Sequence, residues 1–198
     1  MAIKPILFNT KMVRAILDGR KDATRRIVKG FIPDDAVWGY TAFTPKGYIS
    51  CRGTFADGYG EKFFKLPCES GDILYVRETW KKAPNGYYYY EDWQRNDIAD
   101  VTKWKPSIHM PKEAARIWLK VTNVRVERLQ KIAPQGAWKE GARCSCLHPV
   151  PDCAGNKTAF VNIWNSTIKK SDIDRYGWDA NPWVWVIEFE RCEKPEGV

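Results

Sequence analysis

The sequence predicts an α+β fold in which a small barrel-like sheet, of the PUA-like type, is flanked by two or three helices. Three observations support this. Most apolar runs are short and β-prone, only a few segments repeat at helical spacing, and the last run, residues 183–189, alternates aromatic and aliphatic side chains as a strand does. A chain of 198 residues is long enough to bury a core as one domain.

The N-terminal segment predicts a strand followed by a helix. Residues 3–8 are apolar and β-prone, and Asn9 or Thr10 is suited to cap the helix that follows. Gly19 is placed to end that helix, because glycine tolerates the left-handed backbone found at helix C-termini. The apolar residues of the helix fall on one face: Met12, Val13, Ile16 and Leu17.

The middle of the chain predicts two strands of the main sheet, each followed by an insertion. Residues 24–28 and 73–77 are the strands. We expect an irregular β insertion at about 30–66 and a second insertion at about 80–111, with a hairpin at Asn85-Gly86 in the latter.

The C-terminal half predicts a long strand and two helices before the final strand. Residues 114–129 alternate as one strand, or as two with a kink at Asn123. A short helix is expected over 136–141. After a Cys-rich loop at 142–157, Asn156 or Thr158 is expected to cap a further helix.

Composition points to an anionic partner. The formal net charge is +8 and the pI is about 9.2, which favours nucleic acid but also fits a protein that is merely basic. No apolar run is long enough for a signal peptide or a membrane span. We therefore expect a cytoplasmic protein with reduced thiols and no membrane partner.

The segment Gly19–Arg26 concentrates four cations and a hydroxyl group in eight residues. Lys21 and Thr24 stand at i and i+3, so a neutral Lys21 amine is a candidate base for a Thr24 nucleophile. The same segment also fits a phosphate-binding turn without catalysis, or a solvated basic turn. The candidate substrate-binding cations are Arg20, Arg25 and Arg26, with the last two on opposite faces of a strand.

Several phrases of the sequence resemble the ASCH domain family, which belongs to the PUA-like superfamily. The resemblance extends from residue 3 to residue 190 and is nearest to ASCH-like proteins of tailed phages and prophages. The matching phrases are Gly19-x-Lys21-x-x-Thr24-x-Arg26, Gly71-Asp72-Ile73-Leu74, Val76-Arg77-Glu78-Thr79-Trp80, Lys105-Pro106-Ser107-Ile108-His109-Met110, Glu140-Gly141 and Asp179-Ala180-Asn181-Pro182-Trp183-Val184-Trp185.

The resemblance implies a single domain over residues 1–198 and an amidohydrolase that deacetylates N4-acetylcytidine in a bacterial host cell. The catalytic set would be Lys21 as base, Thr24 as nucleophile and Glu140 as acid–base partner, with no cofactor required. The partner would be a modified nucleoside or a nucleic acid, RNA more than DNA. Because other ASCH proteins resemble ribonucleases or RNA-binding modules, both remain alternatives.

Three further residues are candidates for lining the substrate site. Arg77 and Glu78 stand at a strand end, where polar side chains reach a pocket mouth, although Glu78 also fits a salt bridge to an arginine. Trp178 is a candidate for stacking on a base. His109 fits a structural role better than that of a general base.

The Cys-rich loop carries a possible structural zinc site. Its soft donors are Cys144, Cys146, His148 and Cys153, which lie within ten residues. Thiolate and imidazole sets suit tetrahedral zinc, but the spacing is not that of a zinc knuckle, so unligated or redox-labile thiols are the alternative.

Overall fold

The structure, a computed structural model, describes residues 1–94 and 103–197. Residues 95–102, part of the second predicted insertion, lie outside the described residues. The strands are β1 Ile3–Leu7, β2 Ala23–Ile27, β3 Val37–Gly39, β4 Tyr48–Phe55, β5 Gly58–Lys65, β6 Ile73–Arg77, β7 Trp80–Ala83, β8 Gly86–Tyr89, β9 Trp118–Arg128 and β10 Trp183–Cys192. The helices are α1 Thr10–Leu17, α2 Tyr90–Gln94, α3 Pro134–Lys139, α4 Gly155–Thr167 and α5 Ile173–Tyr176. The predicted α+β class is confirmed.

The main sheet has five strands in the order β1-β6-β9-β10-β2. β1 runs parallel to β6, and the other neighbours are antiparallel. The edge strands β1 and β2 approach each other, since Arg26 of β2 donates to the Leu7 carbonyl of β1 over 2.8 Å. Across the part of the chain that the structure describes, no backbone ladder joins these two edges.

β10 is buried on both faces, which explains its run of apolar residues. Trp185, Ile187 and Phe189 pack into a core that includes α1, while Val184 and Val186 pack against α3 and α4. Strict alternation therefore distributes β10 between two cores. The strand holds β2 and the candidate site against the helices.

Helix α1 begins and ends as predicted. The Asn9 side chain accepts from the Met12 N–H at 2.9 Å, which satisfies a donor of the first turn. Gly19 has φ +67°, and the N–H of Arg20 donates to the Ala15 carbonyl at 2.7 Å. This turn directs the chain from α1 straight into the Lys21 segment.

Both insertions contain regular β structure. The first forms the three-stranded sheet β3-β4-β5, which packs on the core through Trp38, whose ring lies 5.6 Å from that of Trp183. The second begins with the predicted hairpin, β7-β8, but its turn is Pro84-Asn85, one residue earlier than predicted, because Gly86 already pairs with Ala83. The hairpin packs in a third core with Met110 and Trp118.

Two predictions of local structure need correction. Neither Asn156 nor Thr158 caps α4, which begins at Gly155 without a side-chain cap. Asn156 is fully buried, and its side-chain amide bonds the backbone of the Cys-rich loop instead of capping the helix. The predicted strand over 114–129 starts only at Trp118 and then runs unbroken, with a register shift opposite Glu188 instead of a kink.

Among the described residues, no helix combines the length and the apolar character needed to cross a membrane.

Candidate active site

Lys21 lies in the interior, with its side chain fully shielded from solvent. Its ammonium group donates to the Ala23 carbonyl at 2.7 Å, to the Glu140 carbonyl at 3.1 Å and to the Glu140 carboxylate at 2.6 Å. An ammonium group has three protons to donate, so the charged form of Lys21 is fully satisfied.

Glu140 reaches Lys21 because α3 ends beside the turn after α1. Gly141 follows with φ +82°, and a Cβ there would lie 3.0 Å from the Ala15 Cβ and 3.4 Å from the Lys21 Cβ. Glycine therefore permits the close approach of these two segments. The Asp22 N–H also donates to the Lys139 carbonyl at 2.9 Å, which fixes the chain on both sides of the ion pair.

The Glu140 carboxylate is shared by two cations. Its second oxygen accepts from the Arg25 guanidinium at 3.1 Å, and Arg25 also donates to Glu127 at 2.7 Å. The result is a network of two cations and two carboxylates in which only Glu127 is partly exposed. Arg26 lies on the opposite face of β2, over the Phe8 ring, as the strand alternation predicts.

Burial lowers the pKa of Lys21, because the interior disfavours the charged ammonium group. The Glu140 carboxylate opposes this effect and raises the pKa, while Arg26 and Arg25 lower it further. The net direction is downward. A lysine in this position gives up its proton at a lower pH than a solvated lysine does.

Thr24 is buried beside this network. It lines a cavity of about 40 Å³, here called the small cavity, together with Glu140 and the side chains of Met12, Arg25, Arg26, Phe160, Ile163, Trp164 and Thr167. Lys21 donates its three hydrogen bonds to Ala23 and Glu140, and none of them goes to the Thr24 hydroxyl. Thr24 is thus placed to contact a group that enters the small cavity.

A larger cavity of about 620 Å³ is also lined by Glu140 and lies between α1 and α4. We call it the basic cavity, since four cations line it: Lys11, Arg14, Arg20 and Arg143. Both cavities share Met12, Glu140 and Ile163 as lining residues. A volume of this size suits a small organic ligand such as a nucleotide.

The other predicted substrate-binding residues are dispersed. Arg20 lines the basic cavity, whereas Arg77 lines a separate groove of about 420 Å³ between the edges of the main sheet. Glu78 is buried in a two-point salt bridge to Arg116, with both distances 2.9 Å. Trp178 packs against Phe160 in the second core. Glu78 and Trp178 line neither of the cavities that Glu140 lines.

The Cys-rich loop brings three of its four predicted ligands together. The sulfurs of Cys144, Cys146 and Cys153 lie within 4.8 Å of one another, and Cys144 and Cys146 form a disulfide. His148 does not belong to this group and is exposed. The predicted four-ligand set is thus corrected to three thiols, because the loop turns the His148 segment toward solvent.

Asn156 and Gly155 shape this loop. The Asn156 side chain accepts from the Cys144 N–H at 2.9 Å and donates to the carbonyls of Val150 and Pro151 at 2.8 and 3.1 Å. A Cβ on Gly155 would lie only 2.7 Å from the Cys144 Cβ. The start of α4 therefore holds the thiol-bearing segments close together.

Two site residues were missed in the sequence. Glu127 lies two residues after Arg125 on one face of β9, so strand periodicity could have grouped these two charges but could not have identified the partner of Glu127, Arg25. Arg143, which lines the basic cavity, follows the Glu140-Gly141 pair so closely that its position beside the site could have been inferred.

No protein-family model, curated protein or solved structure matches this chain.

Proposed function

We propose that this protein is an ASCH-type amidohydrolase with a PUA-like barrel, and that it removes a short acyl group from N4-acylated cytosine. One observation carries the proposal: Lys21 and Glu140, 119 residues apart, form a buried ion pair of 2.6 Å, and Thr24 and Glu140 line the same small cavity. The resemblance implies these same three residues as the catalytic set. Their proximity supports that assignment.

The proposed reaction uses Thr24 as nucleophile and the Lys21–Glu140 pair as proton acceptor. The Thr24 oxygen attacks the acyl carbon, and its proton passes to the pair. The bond between the acyl carbon and N4 then breaks, and the pair returns the proton to the leaving amine. Water hydrolyses the Thr24 ester to release the carboxylic acid and to restore the hydroxyl.

The sizes of the two cavities favour binding of the acyl group in one cavity and of the base and sugar in the other. The small cavity of about 40 Å³ has room for little more than a group of water or methyl size. The acyl group would enter it beside Thr24, while the base and sugar occupy the basic cavity. This arrangement favours acetyl over longer acyl groups.

A deacylation assay with matched variants tests the proposal. The pure protein is incubated with N4-acetylcytidine and with acetylated RNA, and cytidine is detected by mass. We expect turnover in the wild type, and a loss of about 100-fold or more in Thr24→Val and Lys21→Met. Lys131→Met removes an exposed lysine and serves as the control. Absence of turnover on every acylated cytosine would refute the proposal.

A non-catalytic module that binds RNA is the second candidate. It is favoured by the three hydrogen bonds of Lys21, which satisfy its charged form and leave no free lone pair. In this case RNA affinity would fall steeply with salt, no acylated cytosine would be hydrolysed, and intact RNA would remain intact. Cleavage of the RNA would instead indicate a ribonuclease.

We also propose that Cys144, Cys146 and Cys153, once reduced, bind a structural zinc ion. At a Zn–S distance of about 2.3 Å, sulfurs at tetrahedral positions lie about 3.8 Å apart. The Cys146 and Cys153 sulfurs are separated by 3.8 Å. Such an ion would order the loop after Glu140 and take no part in the reaction.

Zinc content measures this second proposal directly. Protein purified under reducing conditions should carry about one zinc per chain, and Cys153→Ser should reduce the stoichiometry. Cys192→Ser, outside the loop, is the control. A wild type that takes up no zinc when reduced would refute the site.

A further inference from the structure

The charges that line the basic cavity indicate which form of the substrate would bind there, an inference that rests on the proposed function. Of its described lining residues, Glu140 is the only acidic one, and four are cationic. Both oxygens of Glu140 are already bonded to Lys21 and Arg25. The space next to the candidate catalytic carboxylate is therefore strongly positive.

The four cations differ in how fully they are paired. Arg14 bonds the buried Glu91 at 2.5 Å, whereas Arg20 pairs with Asp18 at 3.0 Å near the surface, where such a pair contributes little. Lys11 and Arg143 form no ion pair within the described ranges. The charge available to a ligand is therefore carried by Lys11, by Arg143 and, because its surface pair is weak, by Arg20.

Arg143 is the least satisfied of these cations. Its guanidinium stacks on the Trp138 ring, and its Nη1 is buried without a hydrogen-bond partner among the described residues. Burial, and then the charge of Arg20, lower the pKa of Arg143. Because Arg143 and Arg20 line the same cavity and their like charges disfavour each other, an anionic ligand between them would offset this repulsion.

We infer that the basic cavity binds the phosphate of a cytosine nucleotide, free or within a strand, and that Arg143 and Arg20 are its principal ligands. Planar guanidinium groups match the oxygens of a phosphate in two-point hydrogen bonds. With the acylated base next to Glu140, the phosphate would lie in the same cavity. The preferred substrate would then be a nucleotide unit and not a free nucleoside.

Equilibrium binding of unreactive products tests this inference without requiring catalysis. Cytidine, cytidine 5′-monophosphate and a short single-stranded RNA containing cytidine are titrated by calorimetry. We expect the monophosphate to bind about 10- to 100-fold more tightly than cytidine, with an advantage that shrinks as salt rises. Arg143→Gln and Arg20→Gln should each remove most of this advantage, whereas Arg52→Gln, an exposed cation of β4, should retain it.

The outcomes separate this inference from the proposed function. If the protein binds the monophosphate more tightly than cytidine but deacylates nothing, the phosphate site stands and the amidohydrolase proposal fails. If it deacylates acetylcytidine but binds cytidine and the monophosphate equally, or if both Arg variants keep the advantage, the phosphate site is refuted. Tighter binding of the RNA than of the monophosphate identifies the strand as the source of the phosphate, and equal binding identifies the free nucleotide. Should Arg143→Gln fail to fold, Arg20→Gln decides.

Discussion

Removing the Glu140 charge should destabilise the protein because Lys21 would lose the one counter-charge that it contacts among the described residues. Glu140→Gln keeps the size of the side chain and an acceptor oxygen, but leaves the buried ammonium group with neutral acceptors alone. Breaking one side of a buried ion pair costs about 3–5 kcal/mol. Since Arg25 keeps Glu127 as a partner, we place the loss at the lower end, about 3 kcal/mol.

The reciprocal change should be milder. In Lys21→Met the Glu140 carboxylate still accepts from Arg25 at 3.1 Å, so we expect a loss of about 2 kcal/mol. The double variant no longer contains an uncompensated ion and should lose about 3 kcal/mol, against about 5 for the sum of the single changes. The expected coupling between the two residues is therefore about 2 kcal/mol.

Urea unfolding at pH 7 measures these free energies, provided that the slope with denaturant is equal in all variants. Glu188→Gln and its partner change Arg125→Gln form the matched control, because that pair is half-exposed at 3.0 Å and should couple by less than about 1 kcal/mol. Additive losses for Lys21 and Glu140, within about 0.5 kcal/mol, would refute the buried pair.

Three further predictions concern parts of the fold that support the site. Burial raises the pKa of Asp72, but hydrogen bonds from two backbone amides and the charge of Lys4 outweigh this effect and bring the pKa below 3.8. The ionised Asp72 therefore contributes to the stability of the folded protein above pH 3.8, and this contribution is lost as the pH falls through the folded pKa. Asp72→Asn should thus lower stability at pH 7 by about 1–3 kcal/mol and reduce its acid dependence. Arg116→Met removes the two-point partner of Glu78, a buried carboxyl whose pKa is raised by burial. We expect the free energy of unfolding to fall by about 3 kcal/mol at pH 7. This loss should shrink as the pH falls toward 4.5, because the Glu78 carboxyl becomes protonated. Gly155→Ala should reduce zinc uptake by reduced protein, because its Cβ would collide with Cys144.

Chemical unfolding at several pH values checks the first two of these, and metal analysis checks the third. Equal acid dependence of Asp72→Asn and wild type would contradict the first, and a pH-independent deficit in Arg116→Met would contradict the second. Gly60→Ala, where no atom lies within 4 Å of the added Cβ, is the control for the third. Equal zinc uptake by both alanine variants would contradict the close packing argument.

Local signals predicted the elements that depend on neighbouring residues. Asn9 and Gly19 mark the ends of α1 through hydrogen bonds that span only a few residues, so the sequence contains all the information needed. The same holds for alternation in β10. Such elements form where propensity, pattern and tertiary packing agree.

The features that could not be predicted depend on contacts between residues that are far apart in the sequence. Asn156 has the residue type and the position of a helix cap, but its side-chain amide forms hydrogen bonds with the backbone of the Cys-rich loop instead. Glu78 stands at a strand end as a pocket residue would, yet Arg116, 38 residues later, binds it in the interior. Pairings of this kind produce no periodic pattern in the sequence. The pairing of Lys21 with Glu140 could be expected only from the family resemblance.

The hydrogen bonds of Lys21 also constrain the proposed chemistry. An ammonium group that donates three hydrogen bonds has no lone pair for the Thr24 proton, so Lys21 must first lose a proton. The nearest acceptor is the Glu140 carboxylate at 2.6 Å, and burial of Lys21 favours this transfer because it replaces two charges with a neutral pair. Arg25 opposes it, since its charge stabilises the ionised carboxylate on the other oxygen. Catalysis therefore requires the neutral pair to be reachable with substrate in place, and an acylated base that excludes water from the small cavity would shift the balance in that direction.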